Sequence, residues 1–188
     1  MSGAAKKRVL LGVTASIAAY RACDLITELR GKGYEVDVVM TKDTHHFITA
    51  LTLQSFAGRE VITDFFATEG RVKPIHIELA RTCDVILIAP ATADVIARLA
   101  HGLADDVLTC TVLASESPLV IAPAMNEKMY LHPRTQENLK KLKDSGVRIV
   151  EPVQGHLVCS EQGLGHISDN ATILTAVQAA LAAGRTAR

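Results

Sequence analysis

Five short runs rich in Val, Ile and Leu recur along the chain: Arg8-Val-Leu-Leu-Gly-Val-Thr14, Glu35-Val-Asp-Val-Val-Met40, Asp84-Val-Ile-Leu-Ile-Ala89, Pro118-Leu-Val-Ile-Ala122 and Val147-Arg-Ile-Val150. Each is too short for a helix and mostly apolar, as expected of strands buried in a sheet. Between them lie stretches with apolar residues at helical spacing: Ser16 to Leu29, stopped by Gly31 and Gly33, Thr41 to Phe56, Pro74 to Arg81, a helix opened by Pro90 to Asp94 and running through Leu99, Asp106 to Ala114, and Arg134 to Lys143. An Ala-rich helix, Ala171 to Ala183, closes the pattern. Gly58 to Lys73 reads as a loop with a short strand, and Glu151 to Asp169 as a Gly-rich loop. Strand, helix, strand order demands parallel crossovers, so the fold class is α/β, a doubly wound parallel sheet with helices on both faces.

Composition restricts the partners. A chain of 188 residues, 48% of them hydrophobic, buries a core as one domain, with residues 1–7 and 184–188 as flexible tails. Twenty basic residues balance twenty acidic ones, and no Lys/Arg block or interleaved aromatic stripe marks a nucleic-acid footprint. No segment reads as a signal peptide or a bilayer span, so membrane surfaces are excluded and a cytoplasmic location is expected. Cys23, Cys83, Cys110 and Cys159 lack metal-ligand spacing, so no metal is expected; Cys159 stands apart in the polar loop.

In such sheets ligands bind beyond the strand C-termini, where strand order reverses. After the first strand stand Gly12, Thr14, Ala15, Ser16 and Ile17, small residues that let backbone N–H groups and hydroxyls approach a phosphate. The spacing is not G-x-G-x-x-G, and Ser16 alone reads as an N-cap. Thr41, Lys42 and Asp43 follow the second strand, and Ala89, Pro90, Ala91 and Thr92 follow Asp84 to Ile88. The octet Pro123-Ala-Met-Asn-Glu-Lys-Met-Tyr130 leaves the run at Pro118 and sets an uncharged amide, Asn126, at the mouth of the sheet. One mononucleotide could touch all of these ends. His76 interrupts an apolar helix start, Arg81 lies five positions on, and both have ordinary structural readings beside catalytic or phosphate-binding ones. Gly155 to His166 reads either as a solvated loop or as a lid carrying the Cys159 thiol.

Four of these features, in this order, resemble the flavin-containing cysteine decarboxylases: His76-Ile-Glu-Leu79, Pro90-Ala-Thr-Ala93, Pro123-Ala-Met-Asn126-Glu-Lys-Met129 and the Gly-rich stretch around Cys159. The likeness runs from about Arg8 to Ala183 and implies a Rossmann-like, flavodoxin-like domain that uses FMN. It implies decarboxylation of 4'-phosphopantothenoylcysteine to 4'-phosphopantetheine through thioaldehyde and enethiolate intermediates. His76 would be the base, Asn126 the carboxylate holder and Cys159 the late proton donor; Asn126, Met129 and Arg81 would meet the substrate, Arg81 at its phosphate. Ala15-Ser16-Ile17, Thr41-Lys42-Asp43, Ala89 to Thr92 and Ala124 resemble the family's FMN contacts. A homotrimer or dodecamer is implied, with flavin and substrate at subunit contacts. Ala15, Tyr130, Ser160 and His166 depart from the family's usual Gly, Trp, Gly and Arg. The alternatives are oxidative decarboxylation of a C-terminal peptidyl-cysteine, an inactive FMN-binding regulator, and, more remotely, a prenyl-transferring flavin enzyme.

Overall fold

The computed structural model describes residues 6–65, 74–157 and 160–184. Cys159 and most of the two expected tails lie outside these residues. The strands β1 (Arg8–Val13), β2 (Glu35–Met40), β3 (Val61–Ile62), β4 (Val85–Ala91), β5 (Leu119–Pro123) and β6 (Arg148–Ile149) form a six-stranded sheet in the order β3-β2-β1-β4-β5-β6. Every pairing is parallel. The expected doubly wound sheet is therefore present, with its reversal of strand order between β1 and β4.

Alternate residues of the strands feed two cores. Val9, Leu11 and Val13 with Val36 and Val38 pack under α1 (Arg21–Gly31), α2 (Ala50–Ala57) and α8 (Asn170–Ala183), where Leu25, Leu53 and Val177 are buried. Leu10, Ile86, Ile88 and Ile121 face α3 (Ile75–Thr82), α4 (Ala93–His101), α5 (Val107–Ala114) and α7 (Pro133–Asp144), through Leu79, Ile96, Leu108 and Leu139. Gly12 belongs to this second face. A Cβ on it would meet the Leu108 methyl carbons at 2.6 and 2.8 Å, so its missing side chain admits α5 to the sheet. No described helix is long and apolar enough to cross a membrane.

Several boundaries differ from expectation, each for a local reason. The stretch from Ser16 to Leu29 is a 3₁₀ turn, Ile17–Tyr20, followed by α1; the Ser16 hydroxyl accepts from Ala18 N at 3.3 Å and closes the turn tightly. Gly31 ends α1 from within, and the chain reverses at Gly33, whose φ is +87°. Thr41 to Phe56 is likewise split, into a 3₁₀ turn at Lys42–His46 and α2, because Thr49 caps the second piece through a bond from Thr52 N at 3.1 Å. The fourth strand does not stop at Ala89. It continues through a cis Ala89–Pro90 bond to Ala91, whose carbonyl accepts from Ala124 N at 3.1 Å.

The largest difference concerns residues 151–169, expected as a loop. They contain an antiparallel hairpin, β7 (Val153–Leu157) with β8 (Ser160–His166), built outside the main sheet. Its pairing partners are one another, so no buried apolar face was needed to specify it, and its glycines hid it from pattern reading.

Candidate active site

The carboxyl ends of β1, β4 and β5 open into one cavity of about 390 Å³. Ala15, Ser16, Ile17, Ala18 and Tyr20 line it after β1, Thr92 and Ala93 after β4, and Ala124, Met125, Asn126 and Met129 after β5. Phe47 enters from the turn after β2, and Gly165, His166 and Ile167 close one side from the end of β8. This is the switch point of the sheet, where ligands of open α/β folds sit, and the volume is that of a small-molecule site.

Buried hydroxyls set the floor. Thr14 is fully buried; its Oγ1 donates to Pro90 O at 2.7 Å and accepts from Thr92 N at 3.1 Å, tying the ends of β1 and β4 together. Thr44 donates to Val13 O at 3.0 Å and so draws the Phe47 turn onto the same strand end. Thr92 then caps α4, accepting from Val95 N at 3.4 Å, so the positive end of a nine-residue helix adjoins the cavity.

Asn126 caps α6 (Glu127–Tyr130) with its side-chain carbonyl, which accepts from Lys128 N at 2.9 Å. Its NH2 is left to donate to whatever enters. His166 is half-buried, and its Nδ1 donates to Ile167 O at 2.8 Å, leaving Nε2 as the ring nitrogen open to a ligand. Among the described lining residues there is no carboxylate, Lys or Arg. The rim is unusually greasy for a surface: Ile17, Tyr20, Phe47 and Met129 are 60, 57, 47 and 49% exposed.

Of the residues singled out from the sequence, Ala15, Ser16, Ile17, Thr92, Ala124, Asn126 and Met129 converge on this cavity. Gly12, Ala89, Pro90 and Ala91 lie in the strands that end at it, Thr14 directly follows β1, and Thr41, Lys42 and Asp43 stand at the turn that carries Phe47. His76 and Arg81 are elsewhere, on α3, and do not line it. The His76 ring meets Phe65 edge-on with centroids 5.4 Å apart, and its Nδ1 is buried with no hydrogen-bond partner among the described residues. Arg81 is in the last turn of α3. Phe47, Tyr20 and Ile167 carried no signal in the sequence. His166 had one, its place in the Gly-rich stretch.

The chain is 44% identical over 167 residues to the coenzyme A biosynthesis bifunctional protein CoaBC of Vibrio vulnificus (strain YJ016), covering 89% of this chain and 42% of that protein. It thus spans about two-fifths of the length of the curated relatives it matches. Among solved structures, the FMN-dependent cysteine decarboxylase SpaF superposes with a TM-score of 0.79 at 36% identity, covering 92% of this chain and 98% of that one. A PPC decarboxylase mutant complexed with pantothenoylaminoethenethiol gives a TM-score of 0.82 at 32% identity, over 93% and 97% of the two chains. With residues 2–182 matching the family as a whole, this chain belongs to the Flavoprotein family.

Proposed function

We propose that the chain is an FMN-dependent carboxy-lyase converting 4'-phosphopantothenoylcysteine to 4'-phosphopantetheine in coenzyme A biosynthesis. One observation carries the reading: Asn126, its carbonyl engaged in the α6 cap, offers an uncharged NH2 donor at the switch-point cavity. That suits a carboxylate about to leave, because a cation there would stabilise the ground state instead. The names of the relatives support it, since one is a coenzyme A biosynthesis protein and another is a PPC decarboxylase holding an enethiol.

The residues present fit FMN. Small side chains at Ala15, Ala18, Ala93 and Ala124 leave room for a planar, uncharged ring, and Ser16 with the N-terminus of α4 suits a phosphate. Thr14, Ala89, Pro90 and Ala91 hold that lining from below. When bound, FMN supplies a reversible hydride acceptor, which lets the cysteine Cβ be oxidised and later reduced again. Asn126 orients the carboxylate, with Met129 beside it. His76 takes the thiol proton, a task worth roughly 10²–10⁴-fold in rate. Arg81 meets the substrate phosphate, and Cys159, outside the described residues, returns the last proton.

In one copy His76 does not reach this cavity. The greasy rim and the His76 Nδ1, buried with no partner among the described residues, both suit a site completed by a second copy, with α3 of one facing the cavity of the next. The family resemblance implies that this assembly is a homotrimer or a dodecamer.

The test is the visible spectrum of the purified protein, its mass by light scattering, and the product mass from phosphopantothenoylcysteine. A yellow oligomer whose product has lost CO2 alone is expected. His76→Asn should keep the colour and lose turnover. Loss of CO2 plus two hydrogens, or a colourless protein that never takes up FMN, overturns the proposal.

A further inference from the structure

The hairpin reaches the cavity through two adjoining joints. Met125 N–H donates to Gly165 O at 3.1 Å. Leu164 N–H donates to Glu127 Oε1 at 2.8 Å. Glu127 is the residue immediately after Asn126, and Leu164 stands two positions before His166. One half-buried carboxylate therefore connects the turn that presents the Asn126 amide to the strand that presents His166 and Ile167. The acceptor is charged and the donor is a backbone amide, so this bond is of the stronger kind.

We propose that Glu127 is a positioning residue: its carboxylate clamps β8 onto the Asn126 turn, and so sets the spacing between the two walls of the cavity that grip the ligand. The proposal rests on the reading of this cavity as the FMN and cysteine-conjugate site. Glu127 does not itself line the cavity. It acts through Leu164, and the residue that follows Leu164 is Gly165, whose backbone lies directly on Met125. Without the clamp β8 keeps its pairing with β7 and the single bond to Met125, so the fold survives while the wall is free to shift. Small displacements of positioning groups weaken ligand binding well before they unfold a protein.

The experiment uses the full chain loaded with FMN and four forms: wild type, Glu127→Ala, Glu127→Asp and Glu127→Gln. Amide hydrogen exchange at Leu164 reads the clamp directly, and the KM against kcat split for phosphopantothenoylcysteine reads its consequence. Glu127→Ala should speed Leu164 exchange and raise KM, each about tenfold or more, with kcat within about threefold of wild type. Glu127→Asp keeps the charge but shortens the reach and should behave as the alanine variant does. Glu127→Gln retains a carbonyl acceptor of the same length and should restore both readouts to within about threefold. Unchanged Leu164 exchange in the alanine and aspartate variants overturns the clamp. So does a glutamine variant as impaired as alanine, because charge rather than reach would then matter. If wild type itself releases no CO2, the proposed function has failed; the clamp is then judged by Leu164 exchange and FMN dissociation alone, which should still rise together in the alanine and aspartate variants.

Discussion

Gly165 lies against Met125 so closely that a Cβ on the glycine would stand 2.1 Å from the Met125 carbonyl oxygen, at a φ of +146°. Two independent constraints thus exclude a side chain at the joint between hairpin and cavity. Gly165→Ala should push β8 off the octet and lower stability by roughly 2 kcal/mol or more, with loss of FMN from the purified protein. Denaturant unfolding together with bound-flavin absorbance checks this. A variant as stable and as yellow as wild type would show that the hairpin does not dock as described.

Gly12 depends on a different neighbour. An added methyl would collide with Leu108 at 2.6 Å, and overpacking of this sort destabilises by about 1–3 kcal/mol. Leu108→Ala alone should lose about 2–5 kcal/mol through its cavity. Combined, the two changes should cost about 0.5–3 kcal/mol less than their sum, since the new methyl enters the vacated space. Urea midpoints for the four forms of the cycle provide the measurement, and strict additivity would contradict the packing.

Thr14→Val keeps the volume of a fully buried side chain but leaves Pro90 O without its donor and Thr92 N without its acceptor. Each orphaned group costs about 1–3 kcal/mol, so a total loss of roughly 2–6 kcal/mol is expected. FMN affinity should fall as well, because Thr92 lines the cavity. Thr14→Ser retains the hydroxyl and should recover most of both effects in thermal unfolding and flavin titration.

A short chain of polar contacts beside the octet predicts how stability follows pH. The Tyr130 hydroxyl donates to the Glu151 carboxylate, which also receives Lys143 Nζ at 2.5 Å. Burial, reinforced by the neighbouring Glu151 carboxylate, pushes the Tyr130 phenol above its ordinary 10.0. Burial alone would raise Glu151 as well, but the Lys143 ammonium and the Tyr130 hydroxyl outweigh it and hold the carboxyl below 4.5. A raised phenol contributes stability that is complete below pH 10.0 and is lost as pH climbs toward its folded value. A depressed carboxyl contributes stability present above pH 4.5 that disappears as pH falls through its folded value. Tyr130→Phe should therefore flatten the alkaline limb, and Lys143→Ala should shrink the acid loss, because Glu151 then lacks the ammonium that holds its carboxyl below 4.5. Denaturant midpoints collected across the pH range would refute the assignment if neither limb changed.

Much of the architecture was legible before any coordinates. The runs at Val9, Val85 and Leu119 are apolar because both faces of their strands are covered, and that requirement is written locally, residue by residue. Asn126 and Thr92 were recognisable because each is an uncharged polar residue just beyond the carboxyl end of such a run. The hairpin was not legible: its pairing joins Gln154 to Leu164 and Gly155 to Gly163, and neither strand carries an apolar face that would announce it.

Sequence by itself determined the alternation of elements, hence a parallel doubly wound sheet, and the motifs that belong at its carboxyl edge. Tertiary structure alone decided which of those motifs meet. Strand order places β1 between β2 and β4, so the residues after Val13, Ala91 and Pro123 share a cavity, whereas His76, equally prominent in the sequence, leaves the sheet on α3 and does not line it. The physical reason is that periodicity and capping act over a few neighbouring residues, while convergence at a site depends on close packing between segments far apart in the chain. Gly12 under Leu108 and Gly165 on Met125 are instances in which the absence of a side chain has meaning only once its distant neighbour is in place.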